Sequence, residues 1–134
     1  MNWDEFESET RTLAKKIDIV PDIIVGIARG GVVPAALLSK LLKVKDMFVL
    51  KLERDGERRI SAFAVDDVSD KTVLLVEDMI ETGRGLIAGK KFLEERGATV
   101  KTACLYTMPI SEMIPDYSLK EIPEVADFPW NKVV

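Results

Sequence analysis

Short apolar runs that alternate with helical repeats limit what this chain can fold into more than any other feature. Residues 23–27 (Ile-Ile-Val-Gly-Ile), 47–52, 72–76 (Thr-Val-Leu-Leu-Val) and 100–106 are each of strand length, and the first and third are rich in β-branched residues. The first reads as a buried strand and the others as strands, 72–76 the clearest of them. Residues 60–65 are expected to return as a further strand. Helical stretches separate these runs. Trp3, Phe6, Thr10, Leu13, Ala14 and Ile17 recur at helical spacing over residues 3–17, with Trp3 expected to anchor that helix to the body. Residues 33–43 tolerate Pro34 in a first helical turn. Residues 84–96 end at Gly97, a common helix stop, and Gly89 shares a face with Leu86 and Leu93, where it lets the helix approach the sheet. The alternation predicts an α/β fold, a central and mostly parallel sheet with helices on both faces. Right-handed crossovers then gather the loops at the carboxyl ends of the strands, where ligands bind in such folds.

Composition narrows the chemistry. A chain of 134 residues, 47% hydrophobic and 31% charged, fits one globular domain over residues 1–134. Four of the six prolines fall from Pro109 onward, so residues 109–134 read as a mostly irregular tail or hood. A net charge of −4 leaves no basic face for a phosphate backbone, and nucleic acid is not an expected partner. The single cysteine, Cys104, lies in an apolar run and reads as a buried small hydrophobe. With no histidine there is no Ser-His or Cys-His pair and no usual zinc site. Any metal must be held by oxygen, which points to Mg²⁺ or Ca²⁺. The acidic start, Met1-Asn2-Trp3-Asp4-Glu5, is not a signal peptide, and no run approaches the roughly 20 apolar residues of a membrane span. A soluble, cytoplasmic protein with no membrane partner is expected.

Two loops carry the unusual residues. After the strand at 72–76 comes Glu77-Asp78-Met79-Ile80-Glu81-Thr82-Gly83-Arg84-Gly85, opening a helix. Three carboxylates within five residues repel one another unless hydroxyl donors or a cation offset them. The glycines and the helix N-terminus that follow offer backbone N–H groups to a phosphate, and Thr82 adds a hydroxyl. An acidic half beside an anion-binding half suits a sugar phosphate. The plainer reading is an acidic turn followed by a helix cap. Gly83-Arg84-Gly85-Leu86-Ile87-Ala88 matches the dinucleotide pattern G-x-G-x-x-A. Six residues separate it from its strand, however, and the next strand ends without an acid, so that reading fails. No P-loop sequence is present.

The run from residue 72 resembles the phosphoribosyl pyrophosphate signature of type I phosphoribosyltransferases. The resemblance runs from about Ile23 to the C-terminus and is nearest the short enzymes acting on hypoxanthine, guanine or xanthine. It implies that Glu77 and Asp78 hold the ribose hydroxyls, with Asp78 helping to position Mg²⁺. It implies that Glu81 is the general acid/base for the base nitrogen, at a position where the family more often has Asp. Thr82, Gly83, Arg84 and Gly85 would form the 5′-phosphate turn, Gly85 standing where a second hydroxyl residue is usual. Arg29, Gly30 and Gly31 look like the pyrophosphate loop, often built on a cis non-proline peptide. Arg54, Arg58 and Arg59 fall in the region of a mobile flap, where Arg58 or Arg59 would neutralise pyrophosphate.

The base side departs from the family. Thr107-Met108-Pro109 stand where a Lys usually contacts the base, and the usual stacking aromatic falls near Val125. Phe128 or Trp130 would substitute as the stacking ring or serve as packing residues of the tail. The implied reaction is Mg²⁺-dependent transfer of phosphoribosyl from phosphoribosyl pyrophosphate to a purine base, in a homodimer or homotetramer. The alternatives are another acceptor such as orotate, against which Glu81 argues, a non-catalytic donor or nucleotide sensor, and an interaction domain without ligand.

Overall fold

The computed structural model describes residues 1–53, 59–63 and 67–132, the side chains of residues 59–62 excepted. Helix α1 (Trp3–Lys16) is opened by Asn2, whose Oδ1 accepts the Glu5 N–H at 2.8 Å. Asp4 and Glu5 stand at the positive end of its dipole, Lys15 and Lys16 at the negative end. There follow β1 (Ile23–Ala28), α2 (Val32–Leu41), β2 (Met47–Glu53), β3 (Arg59–Phe63), β4 (Thr72–Val76) and β5 (Met79–Ile80). The rest comprises α3 (Arg84–Glu94), β6 (Thr99–Ala103), β7 (Tyr106–Thr107), β8 (Lys120–Glu121) and a closing 3₁₀ turn, Pro129–Lys132.

The main sheet runs β3-β2-β1-β4-β6. The strands β2, β1, β4 and β6 are parallel, and β3 pairs antiparallel at one edge. Side chains alternate across it. Ile23, Val25, Ile27, Val73 and Leu75 pack with Leu86 and Leu93 of α3. Ile24, Leu74 and Val76 pack on the other face with Phe6 and Leu13 of α1 and with Ala35 and Leu38 of α2. Burial on both faces is why the strand runs read as continuously apolar rather than alternating. Gly89 packs as expected, its Cα turned to Leu75, whose Cδ2 would lie 3.1 Å from an added Cβ. Among the described residues no helix is long and apolar enough to cross a membrane.

Three expectations change. The strand expected over 100–106 is broken. After Ala103 the chain steps off the main sheet, the Cys104 N–H donating to Tyr117 O (3.1 Å) and the Leu105 N–H to Asp78 O (2.9 Å). It then enters a second, three-stranded parallel sheet, β5-β7-β8. The tail is accordingly more ordered than its prolines suggested. Of the strand expected over 60–65, residues 64 and 65 lie outside the described residues. Trp3 is 56% exposed, so it holds α1 to the tail along one edge only, against Phe6 and Trp130 (ring centroids 6.0 and 6.1 Å).

The first turn of α2 crosses β1 at Gly26. A Cβ there would lie 2.9 Å from Gly31 O, 3.0 Å from Ala35 Cβ and 3.1 Å from Val32 Cα. Gly26→Ala is expected to cost about 1–3 kcal/mol. Urea unfolding should show a lower midpoint with an unchanged m-value.

Candidate active site

Strands β1 and β4 lie side by side in parallel register, Ile23 opposite Val73 and Gly26 opposite Val76. The chain moves outward from β1 to β2 on one side and returns to β4 on the other. The carboxyl ends of these two strands therefore form the switch point of the sheet, where a crevice opens. The loop after β1 turns tightly, the Gly31 N–H donating to Ile27 O (2.8 Å) and the Val32 N–H to Arg29 O (3.1 Å). The Ala28–Arg29 peptide bond is cis, as the resemblance implied for this loop. Arg29 is exposed, and among the described residues its guanidinium forms no ion pair.

The two loops touch at Gly30. A Cβ on Gly30 would lie 2.3 Å from Asp78 Oδ2 and 2.9 Å from Asp78 Oδ1. Only a residue without a side chain lets the backbone of one crest meet the carboxylate of the other. Gly31 is fixed similarly, because its Cβ would fall 2.2 Å from Val76 O. The structure thus brings Arg29, Gly30, Gly31, Glu77 and Asp78 to one place.

The acidic crest is held by the backbone beneath it. The Glu77 N–H donates to Ala103 O (3.0 Å), and the Met108 N–H donates to Ile80 O (3.0 Å). The Met79 N–H donates to Asp78 Oδ1 (2.6 Å), and the Asp78 N–H donates to Glu77 Oε1 (3.3 Å). Burial pushes the Asp78 carboxyl above its ordinary range, and the Met79 N–H, the Trp130 indole and Glu77 act in the opposite direction. Glu81 is exposed, and among the described residues its carboxylate makes no hydrogen bond or ion pair. Cys104 lies buried below the acids. Its thiol is pushed up to about 12, by burial first and then by the charges of Glu77 and Asp78, so it is no nucleophile.

Beyond the acids, Gly83 takes a left-handed conformation (φ +84°) as the residue before α3, and no side chain caps the helix there. The Arg84 N–H donates to Thr82 Oγ1 (3.3 Å). The first turn of α3 contains no acidic residue of its own, and the positive end of the helix dipole lies there. Gly85 sits against Leu52, whose Cδ1 would be 3.1 Å from an added Cβ.

Sequence reasoning missed the cover of this turn. Arg84 was expected to supply a donor for phosphate, but its guanidinium engages Glu112, Nε–H to Oε1 at 3.3 Å and Nη2–H to Oε1 at 3.1 Å. The Glu112 N–H donates to Thr82 O (2.7 Å), and Ser111 and Met113 lie over Gly83. Glu112 stands 28 residues from Arg84 in a stretch without periodicity, so no local pattern signals it.

The base side also differs from expectation. Phe128 is 1% exposed, stacked on Trp130 (4.8 Å, 4°) and nearly parallel to Tyr106 (5.8 Å, 14°). It is a core residue, and no face of its ring is open to stack on a base. Val125 is 64% exposed. Arg58 and Arg54 lie outside the described residues, and of Arg59 only its backbone place in β3 is described.

Comparison with known proteins adds to this geometry. Residues 2–134 match the family described as Phosphoribosyl transferase domain. The chain is 28% identical over 141 residues to a xanthine-guanine phosphoribosyltransferase of Idiomarina loihiensis, a match covering 98% of this chain and 85% of that one. It is 39% identical over 88 residues to a ribose-phosphate pyrophosphokinase of Haemophilus ducreyi, where the match takes in 64% of this chain but only 28% of the relative. A crystal structure of a purine phosphoribosyltransferase from Pyrococcus horikoshii superposes with a TM-score of 0.92 at 30% identity, covering 100% of this chain and 94% of that one.

The burial of Asp78 has a consequence for stability. A carboxyl whose folded pKa is raised is costly to the fold when ionised, so the penalty is complete above the folded pKa and gone below the ordinary value of 3.8. Asp78→Asn removes it. In ligand-free, metal-free buffer the variant should melt above the wild type at neutral pH, and the gain should vanish as the pH falls toward 3.8. Equal melting temperatures at neutral pH would contradict this.

Proposed function

The chain belongs to the phosphoribosyl transferase domain family, and on that footing we propose that it transfers the phosphoribosyl group of phosphoribosyl pyrophosphate to a purine base. The observation that carries this reading is the contact of Gly30 with Asp78, which sets the backbone of the loop after β1 beside a crest of carboxylates. A phosphorylated sugar with a pyrophosphate leaving group needs both. The carboxylates accept from the ribose hydroxyls, and the turn at Thr82–Gly85 receives the 5′-phosphate. The purine acceptor is supported by the xanthine-guanine and purine phosphoribosyltransferases that the chain resembles over nearly its whole length.

In this reaction a ring nitrogen of the base forms a bond to the anomeric carbon. The bond from that carbon to the pyrophosphate oxygen breaks, and its electron pair leaves with pyrophosphate. Arg29 meets the negative charge that develops there, while Glu77 and Asp78 face the electron-poor ribose. Glu81, exposed and without a partner among the described residues, takes the proton of the base nitrogen.

Mg²⁺ fits this donor set. Among the described residues no three His, Cys, Asp or Glu side chains converge on one point. The adjacent carboxylates of Glu77 and Asp78 suit an ion bound by one or two carboxylates plus substrate oxygens. Asp78 is the residue that would hold it, and the bound ion would supply charge neutralisation at pyrophosphate.

One observation favours a second reading, a sensor that binds the donor without transfer. Met108 and the exposed Val125 put no cation and no aromatic ring on the base side. Incubation with phosphoribosyl pyrophosphate, Mg²⁺ and hypoxanthine, guanine or xanthine should yield nucleotide and pyrophosphate. Donor binding without product would favour the sensor. Glu81→Ala should lower turnover by about 10²–10⁴-fold while leaving donor affinity close to wild type, and full activity in that variant would remove Glu81 from the chemistry.

A further inference from the structure

The acid opposite Arg84 comes from outside its helix. No residue in the first turn of α3 is acidic, and no side chain caps the helix at Gly83. Glu112, 28 residues further on, supplies the negative charge instead. The Arg84 Nε–H donates to its Oε1 at 3.3 Å and the Nη2–H at 3.1 Å. Neighbouring contacts fix this acid beside the turn at residues 82–85. The Glu112 N–H donates to Thr82 O (2.7 Å), and the Ser111 hydroxyl donates to Met113 O (2.7 Å). A Cβ on Gly83 would lie 3.1 Å from Ser111 Oγ and 2.9 Å from Met113 Cγ.

A carboxylate at the start of a helix ordinarily stabilises the helix dipole and nothing more. This one also holds Arg84, the single cationic side chain of residues 82–85. A phosphate arriving at that turn meets a guanidinium already engaged and a like charge beside it. The backbone of Glu112 and its side chain are held differently. The backbone is pinned by the Thr82 carbonyl, whereas among the described residues Arg84 is the only partner of the carboxylate. The two side chains are 49% and 61% exposed, Glu112 first. The carboxylate can therefore swing into water while the segment over Gly83 stays in place. An exposed ion pair contributes little, so a phosphate dianion displaces it at a modest loss of affinity.

We propose that Glu112 is a specificity-determining residue of the phosphate turn: its carboxylate stands in for a phosphate on Arg84 in the ligand-free protein and gives way to the 5′-phosphate of the donor. Arg84 then exchanges one anion for another. A phosphate that brings no other contacts is held weakly, and one whose ribose also meets Glu77 and Asp78 is held firmly. This rests on the donor-binding reading given above.

Glu112→Gln keeps the size of the side chain and removes its charge. Affinities for ribose 5-phosphate and for pyrophosphate, each with Mg²⁺, are measured by calorimetry at low salt, and the melting temperature is recorded without ligand. The variant should bind ribose 5-phosphate about three- to fivefold more tightly than the wild type, the scale of an exposed ion pair. The gain should shrink in 1 M salt, where the Debye length is about 3 Å. Pyrophosphate, which belongs to the loop at Arg29 in this reading, should bind both proteins alike. Arg84→Gln should weaken ribose 5-phosphate binding, and adding Glu112→Gln to it should recover little, because the carboxylate acts through the guanidinium. A lower melting temperature with unchanged ribose 5-phosphate affinity would make Glu112 a dipole partner only and overturn the proposal. Equal tightening of pyrophosphate, or the full gain in the absence of Arg84, would also overturn it. Ribose 5-phosphate binding to neither the wild type nor Glu112→Gln would instead overturn the donor site itself, and this role with it.

Discussion

A parallel ladder joins β1 to β4 over four residue pairs, and β1 runs on past the end of β4 by Ile27 and Ala28. Everything at the site follows from that pairing. The loops that leave the two strands do so side by side, and Gly30 and Gly31 let them close until backbone meets carboxylate. Neither strand is stable alone in water. Their pairing holds because α3 covers one face of the sheet and α1 with α2 covers the other. The same closeness withdraws Asp78 from water and raises its carboxyl. A site that gathers acids at a sheet crest costs the fold some stability, which functional sites commonly do.

The tail works as a second scaffold. The two-residue strands β5, β7 and β8 pin the acidic loop to the segments that follow the main sheet. The Glu112 N–H holds the carbonyl of Thr82, and the aromatic cluster of Phe6, Phe128 and Trp130 fastens the closing turn to the first helix. The Arg84–Glu112 ion pair is more than half exposed on the Arg84 side, so its own contribution is small. Its importance lies in where it puts the segment at residues 111–113, across the turn expected to take a phosphate.

Much of this was legible in the sequence. The four parallel strands and three helices announced themselves by period and by apolar run, and the helix stop at Gly97 is a left-handed glycine as expected (φ +91°). The two loops were singled out because acids, glycines and a hydroxyl residue cluster there. The break after Ala103 was not legible. Cys104 and Leu105 are as apolar as a strand requires, and they leave the main sheet only because Tyr117 O and Asp78 O are there to receive their amides. Two-residue ladders leave no period for a sequence to display. Phe128 offers the same lesson, since an aromatic ring near a tail serves equally as a stacking platform or as core, and Tyr106 and Trp130 decide which.

By itself the sequence determined the α/β architecture, the placing of both loops at strand ends, and the absence of any Ser-His or Cys-His pair. These follow from local rules, the period of apolar residues and the conformational range of glycine, which act over a few neighbours. Only the tertiary structure decided that Gly30 touches Asp78, that Glu112 takes Arg84, and that Phe128 is core. Those contacts join residues far apart in the chain. Their partners are chosen by the packing of whole elements, and no stretch of sequence carries a mark of a neighbour it meets only after folding.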